Sequence, residues 1–122
     1  MNVTKSLTDT PYRQGDIVYV DFPYSEGGTS KSRPVVIVST DDYHSGRDDY
    51  IVVAITSRPP SSPRVTDYEL QDWLSEGLNR PSWVRSKLYT VNRARFERKV
   101  GALTERDLQG VKRCLAKALG LW

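Results

Sequence analysis

Two short apolar runs constrain this chain more than any other feature. Val35-Val36-Ile37-Val38 follows an arginine–proline pair, Arg33-Pro34, and the run from Ile51 to Ile55 ends in Thr56-Ser57. Nearly continuous runs of β-branched residues suit strands covered on both faces. If the two strands pair antiparallel, the start of one lies beside the end of the other, which brings Arg33 and Thr56 to one rim of a sheet. A guanidinium and a hydroxyl held on rigid strands can bind and polarise a phosphodiester. On spacing alone the plainer reading is favoured, a solvated strand-end charge and an ordinary β-branched residue.

Length and composition narrow the classes. At 122 residues the chain is one domain, with enough residues for a core but too few for two. Residues 1–11 read as a flexible leader ending at Pro11, and 12–122 as a single domain. No apolar stretch approaches the roughly 18 residues that span a bilayer, and Met1 to Thr10 lacks the apolar region of a secretory signal. Cys114 is the single cysteine, so no internal disulfide forms, and no Cys/His cluster is present to hold zinc. A cytoplasmic protein without metal or cofactor is the simplest account. The net charge of +3 is unevenly spread: residues 1–79 carry seven Lys/Arg against twelve Asp/Glu, and residues 80–122 eleven against three, hence −5 and +8. The second half therefore favours a polyanionic or acidic partner, or else simply a cationic, soluble surface.

Periodicity places the elements. Strands are expected over Gly15–Phe22, Pro34–Ser39, Tyr50–Thr56, Val65–Leu70, Ser82–Val91 and Arg98–Leu103. Tyr24 to Ser32, with Gly27-Gly28 and four hydroxyl residues, forms a surface loop, and Asp41 to Asp49 a polar connection that carries His44 as a surface residue. Three prolines make 58–63 a stiff loop, and Gln71 to Glu76 reads as one helical turn ended by Gly77. In the fifth strand Val84 and Leu88 face one way while Trp83, Arg85, Lys87 and Tyr89 face the other. Alternating cations and rings suit single-stranded nucleic acid, although an amphipathic strand with a solvated face has the same pattern. A short helical segment begins at Asn92. Thr104 then caps a final helix, with Asp107 three residues on, an apolar stripe of Leu108, Val111, Leu115 and Ala118, and Gly120 at its end.

In their order these words resemble the PemK/MazF family of toxins from bacterial toxin–antitoxin pairs. The resemblance runs from about residue 12 to 120. It rests on Tyr12-Arg13-Gln14-Gly15-Asp16 and the strand through Tyr24, on Lys31-Ser32-Arg33-Pro34-Val35-Val36-Ile37-Val38-Ser39, and on Val53-Ala54-Ile55-Thr56-Ser57. Later words are Asp72-Trp73, Gly77-Leu78, Pro81-Ser82, Lys87-Leu88 and Gly101-Ala102-Leu103-Thr104. It implies a mainly β (α+β) fold, a small SH3-like barrel of five to seven antiparallel strands with a C-terminal helix, shared with CcdB-like proteins. It also implies a homodimer, a cognate antitoxin with an acidic, apolar tail, and cleavage of single-stranded RNA without metal.

The same resemblance assigns the catalytic pair to Arg33 and Thr56. The guanidinium fork can hold two phosphate oxygens and offset transition-state charge, and the threonine can donate to an oxygen or orient the attacking hydroxyl. Neither is a good base at neutral pH, which leaves a carboxylate such as Glu26, an arginine or water for that role. Tyr24 and Lys31 border the loop at which the family binds RNA, and Ser57, Arg58, Trp83, Arg85 and Lys87 complete the expected RNA-binding set. Trp83 and Arg58 depart from the residue types expected there. Cys114 reads as buried rather than nucleophilic. The alternative is a non-catalytic binder on the same barrel, a CcdB-like gyrase inhibitor or an RNA-binding module, distinguished from the enzyme by RNA cleavage in EDTA.

Overall fold

Alternation along each strand, with both alternating sets apolar, is met by a sheet that buries both of its faces. The computed structural model describes residues 12–22 and 31–121. Strands β1 (Asp16–Phe22), β2 (Lys31–Ile37), β3 (Asp49–Thr56), β4 (Tyr68–Glu69), β5 (Trp83–Asn92) and β6 (Phe96–Ala102) form one six-stranded sheet. Its order is β4-β5-β3-β2-β1-β6, and every pairing is antiparallel. A one-turn helix α1 (Asp41–His44) joins β2 to β3, a 3-10 turn (Arg93–Arg95) joins β5 to β6, and α2 (Glu105–Leu119) follows β6. The leader expected over residues 1–11, and Tyr24 and Glu26 of the first loop, lie outside the described residues.

On one face Ile17, Val36, Val53, Ile55 and Val84 pack against Val111 and Leu115 of α2. On the other, Val18, Val20, Val35, Ile37, Val52 and Val91 pack on one another, flanked by Tyr12, Tyr89 and Phe96. That second core consists almost wholly of residues of the sheet itself, so the sheet curls over on itself in the barrel-like manner expected. Among the described residues no pairing joins β4 to β6, and the curl stays open.

Several boundaries differ from those read in the sequence. The fourth strand shrinks to Tyr68–Glu69, with Val65 72% exposed, whereas the helical turn expected over residues 71–76 is present as a single i→i+4 turn, the Glu76 N–H donating to the Asp72 carbonyl (3.1 Å) just before Gly77. The stripe of α2 runs through Val111, Cys114 and Leu115, while Ala118 is exposed. Cys114 is buried as expected, and burial pushes its thiol pKa up. His44 is not a surface residue: its side chain is 8% exposed, because α1 folds its ring against Tyr50 (4.2 Å between centroids) and onto the Ser39 hydroxyl (2.6 Å).

The start of α2 is held by a carboxylate cluster. The Thr104 hydroxyl accepts from the Asp107 backbone N–H as expected (3.3 Å), but the return bond of a capping box is made by Glu76, whose Oε2 accepts from the Thr104 N–H (2.8 Å). Asp107 is turned instead toward the preceding segment, accepting from the Tyr68 hydroxyl (2.7 Å) and the backbone N–H groups of Gln71 and Asp72 (3.0 and 2.9 Å). Gly110 permits the approach of Tyr68, since a Cβ there would overlap the phenol ring. Asp72 accepts from the Thr104 hydroxyl (2.7 Å) and from Arg106 (2.6 Å). Glu76 is 2% exposed, and its Oε1 has no donor. Its neighbour there is the Asp107 carboxylate, so the contact is favourable only with a proton between the two acids. Burial, then the bond to Asp107, raises Glu76 to about 7; Asp107 is lowered, its burial outweighed by the bonds it accepts from Glu76, Asp72, Gln71 and Tyr68.

Glu76 thus has a folded pKa above its ordinary 4.5, and its contribution is full below that value and lost as pH rises through about 7. Replacing it by glutamine, which carries donors at every pH, removes the loss. In urea unfolding, the wild type should lose about 2 kcal/mol relative to Glu76→Gln between roughly pH 5 and pH 8. His44, lowered by burial, contributes equally to both proteins. Parallel stability curves would show that no proton is held at this pair.

Candidate functional site

β2 and β3 pair with Val35 opposite Ala54, Val36 opposite Val53 and Ile37 opposite Val52. The same register continued by two residues sets Arg33 opposite Thr56, at the end of β3. Pro34 offers no N–H, and the β2–β3 pairing ends beside it at Val35 while β2 stays paired with β1 as far as Lys31, so the ends of β2 and β3 part and open toward a ligand. Paired residues share a face, and Arg33 also lies opposite Val20 of β1. Arg33 and Thr56 therefore stand at one rim of the sheet, on strands whose inner residues Val20, Val35 and Ile55 are buried.

Two clefts meet at that rim. The first, about 450 Å³, includes Tyr19, Pro34, Ile55, Ser57, Leu78, Asn79, Arg80 and Ser82. The second, about 520 Å³, includes Phe22, Ala54, Pro59, Pro60, Arg85, Lys87 and Tyr89. Arg33, Thr56 and Arg58 line both. Successive strand residues point to opposite faces, and Pro34 and Ile55 belong to the first cleft while Ala54 belongs to the second. The clefts accordingly lie on opposite faces of the sheet, with Arg33 and Thr56 on the edge between them.

The hydrogen bonding of Thr56 restricts what it can do. The Arg58 backbone N–H donates to Thr56 Oγ1 (3.1 Å), which occupies one acceptor position and leaves the hydroxyl proton available to a ligand. Around it the described residues leave most of the positive charge uncompensated. Among the described residues no carboxylate forms an ion pair with Lys31, Arg33, Arg58, Arg80 or Lys87, whereas Arg85 is held by Asp67 (3.5 Å). No described Asp, Glu or His lines either cleft. Clustered cations without counter-ions repel one another and gain energy only when an anion enters.

Of the residues singled out in the sequence, Arg33, Thr56, Lys31, Ser57 and Arg58 line the first cleft, and Arg85 and Lys87 the second. The last two owe their position to a bulge: Val53 lies opposite Leu88 but Ile55 opposite Val84, so β5 spends two extra residues there. Ser86 takes the strained place in it, at φ 57°, and its hydroxyl donates to the Thr66 carbonyl (2.7 Å). Trp83 pairs with Thr56 but lines neither cleft. Sequence reasoning missed Asn79 and Arg80 altogether; the signal available was their place between Gly77-Leu78 and Pro81-Ser82, two points that pin the backbone. It also passed over Tyr19 as a ligand-facing ring, which here lies under the Arg98 guanidinium (4.5 Å). The carboxylates of Asp72, Glu76 and Asp107 come close enough to share a cation, but they accept the hydrogen bonds that cap α2 and line neither cleft.

Residues 13–119 match the family described as PemK-like, MazF-like toxin of type II toxin-antitoxin system. The fold matches several solved structures at low identity. An endoribonuclease in complex with its cognate antitoxin from a mycobacterial species superposes with a TM-score of 0.76 at 20% identity, covering 91% of this chain and 97% of that one. The Mycobacterium tuberculosis toxin MazF-mt6 gives 0.70 at 20% identity, over 86% and 96% of the two chains. MazF from Deinococcus radiodurans gives 0.72 at 20% identity, over 92% and 99%.

Because the cations at the rim have no ion-pair partners to lose among the described residues, their removal should not cost stability. Arg33→Ala, Arg58→Ala and Arg80→Ala should each unfold within about 0.5 kcal/mol of the wild type, or slightly above it, in urea titrations. A loss of about 2 kcal/mol or more from any of them would mean that the guanidinium supports the fold.

Proposed function

The chain belongs to the PemK-like, MazF-like toxins of type II toxin–antitoxin systems, and from that premise we propose that it is an endoribonuclease that cuts single-stranded RNA at the rim bearing Arg33 and Thr56. The observation that carries this reading is the continued register of β2 on β3, which brings a guanidinium and a proton-donating hydroxyl together on an edge shared by two clefts. Cations without an ion-pair partner among the described residues line both sides of that edge and suit a polyanion that passes over it.

The chemistry follows from the groups present. The ribose 2′-hydroxyl loses its proton and attacks the adjacent phosphorus; the bond to the 5′-oxygen breaks, and that oxygen takes up a proton. The products are a 2′,3′-cyclic phosphate and a 5′-hydroxyl. Arg33 offers a planar fork to the non-bridging oxygens, on which charge builds as the fifth bond forms. Thr56, its Oγ1 already accepting from Arg58, donates to the same phosphate. Both groups act on the phosphorane charge rather than as proton acceptors. The protein functions in the cytoplasm, where cutting mRNA arrests translation and growth.

A cognate antitoxin with an acidic, apolar segment is the natural inhibitor, because it neutralises a second half that carries +8. A homodimer accompanies this function. The groove of about 360 Å³ between Val38, Ile51, Leu88, Leu115, Leu119 and Leu121 offers apolar surface for such a contact, with Leu119 and Leu121 54% and 65% exposed.

Purified protein incubated with an RNA ladder in EDTA should give discrete cuts with 5′-hydroxyl ends. Arg33→Ala and Thr56→Ala should each slow cleavage by roughly 100-fold or more while leaving far-UV circular dichroism unchanged. Undiminished cutting by folded Arg33→Ala would remove its proposed role, and salt-sensitive retention of RNA without any cut would replace the enzyme by a binder.

A further inference from the structure

The two clefts that meet at the rim differ in chemistry, and the difference bears on how RNA is read. The second cleft presents the exposed pyrrolidine of Pro59 and the half-buried ring of Tyr89, seated on the buried Phe22 and Pro60, an apolar surface on which any base can stack. The first presents Asn79 and Arg80. A carboxamide carries a donor and an acceptor side by side, the pattern that matches one base edge and mismatches others. With the scissile phosphate on Arg33 and Thr56, the nucleotides on either side of it descend opposite faces of the sheet. One of them enters the cleft that holds Asn79.

The segment bearing Asn79 is built rigidly enough to discriminate. Leu78 is buried in the core beneath α2, and its N–H donates to the Trp73 carbonyl (3.1 Å). Gly77 turns the chain at φ 98°, where a Cβ would press on the Val100 carbonyl (2.8 Å). Beyond the pair, Ser82 is buried; its carbonyl accepts from the Leu70 N–H (2.9 Å), and its hydroxyl donates back to the Arg80 carbonyl (2.8 Å). Asn79 and Arg80, with Pro81 after them, thus project between two clamps, with exposed side chains. Among the described residues neither side chain has a hydrogen-bond or ion-pair partner of its own. Held backbone with free polar heads is the arrangement that selects a ligand without reorganisation. Of the hydroxyls that share this cleft, Ser82 is spent on Arg80, Ser32 on Glu97 and Thr56 faces the phosphate, while a lone hydroxyl such as that of Ser57 serves a donor or an acceptor edge equally and so discriminates little.

We propose that Asn79 selects the base on one side of the scissile linkage, with Arg80 gripping the adjoining phosphate, while the opposite side is bound by stacking with little regard to sequence. This rests on the nuclease reading of the rim. It requires that base preference be lopsided about the cut, and that it change with Asn79 while the rim pair remains intact.

Two measurements separate this proposal from the reading beneath it. In the first, 5′ ends made from a random RNA pool are sequenced for wild type, Asn79→Ala and Arg80→Ala. Asn79→Ala should flatten the base frequencies at one position beside the cut by roughly tenfold and leave other positions alone. Arg80→Ala should slow all cuts without changing their pattern, and steepen no base preference. In the second, binding of 2′-O-methyl oligonucleotides, which cannot be cut, is measured with each of the four bases at that position. If wild type cuts and Asn79→Ala keeps its pattern, the proposal is overturned and the nuclease reading stands. If wild type binds with a base preference that Asn79→Ala loses, yet never cuts, base selection by Asn79 stands and the nuclease reading, with its scissile linkage, falls. If wild type neither cuts nor prefers a base, both fall.

Discussion

The register of β2 on β3 is the constraint on which the site depends. Val35 opposite Ala54 is a core contact, and it leaves no freedom in where Arg33 and Thr56 come to rest. A slip of one residue would carry Val35 and Ile37 from one core into the other and Val36 the opposite way, upsetting the packing of both, so burial on both faces enforces the pairing. The placement of the proposed catalytic pair is thereby a by-product of core packing. The polar residues need supply no energy to the fold.

A sheet buried on both faces has little room for a binding site except at its ends. Here the end is opened by three features of the backbone. The β2–β3 pairing ends beside Pro34, the bulge at Ser86 turns Arg85 and Lys87 toward the second cleft, and the segment clamped at Leu78 and Ser82 walls the first. Apart from Arg85, which Asp67 holds, the cations that result lack counter-ions among the described residues, an electrostatic cost borne by a core of some twenty buried apolar side chains among them. The carboxylates are spent elsewhere. Asp72, Glu76 and Asp107 cap α2 and hold the segment that leads to Asn79, so acidic residues support the cleft without neutralising it.

Much of this was legible in the residues, for identifiable reasons. Val35–Val38 and Ile51–Ile55 announce buried strands because nothing else accommodates continuous β-branched runs of that length, and their order predicts the meeting of Arg33 with Thr56. Thr104 and Gly120 mark the ends of α2 through local chemistry, and both serve as its caps. What escaped was tertiary. Asp107 looked like half of a capping box, but Glu76, distant in sequence, makes that bond. His44 looked solvated because its neighbours are polar, yet a single helical turn lays it against Tyr50. Asn79 and Arg80 carry no periodic signal, since their position depends on two anchors that only the folded chain reveals. Trp83 sits in the alternation expected of a ligand-facing ring, yet lines neither cleft.

The account stands or falls on whether Arg33 and Thr56 act on one phosphate as a unit. A double-mutant cycle on the single-turnover cleavage rate of one short RNA tests this directly, using Arg33→Ala, Thr56→Ala and the double variant. Groups that stabilise the same transition-state charge are non-additive, so the double variant should be slower than the worse single variant by no more than a few-fold. Losses that multiply, as for two independent sites, would contradict the claim that the guanidinium and the hydroxyl grip the same linkage.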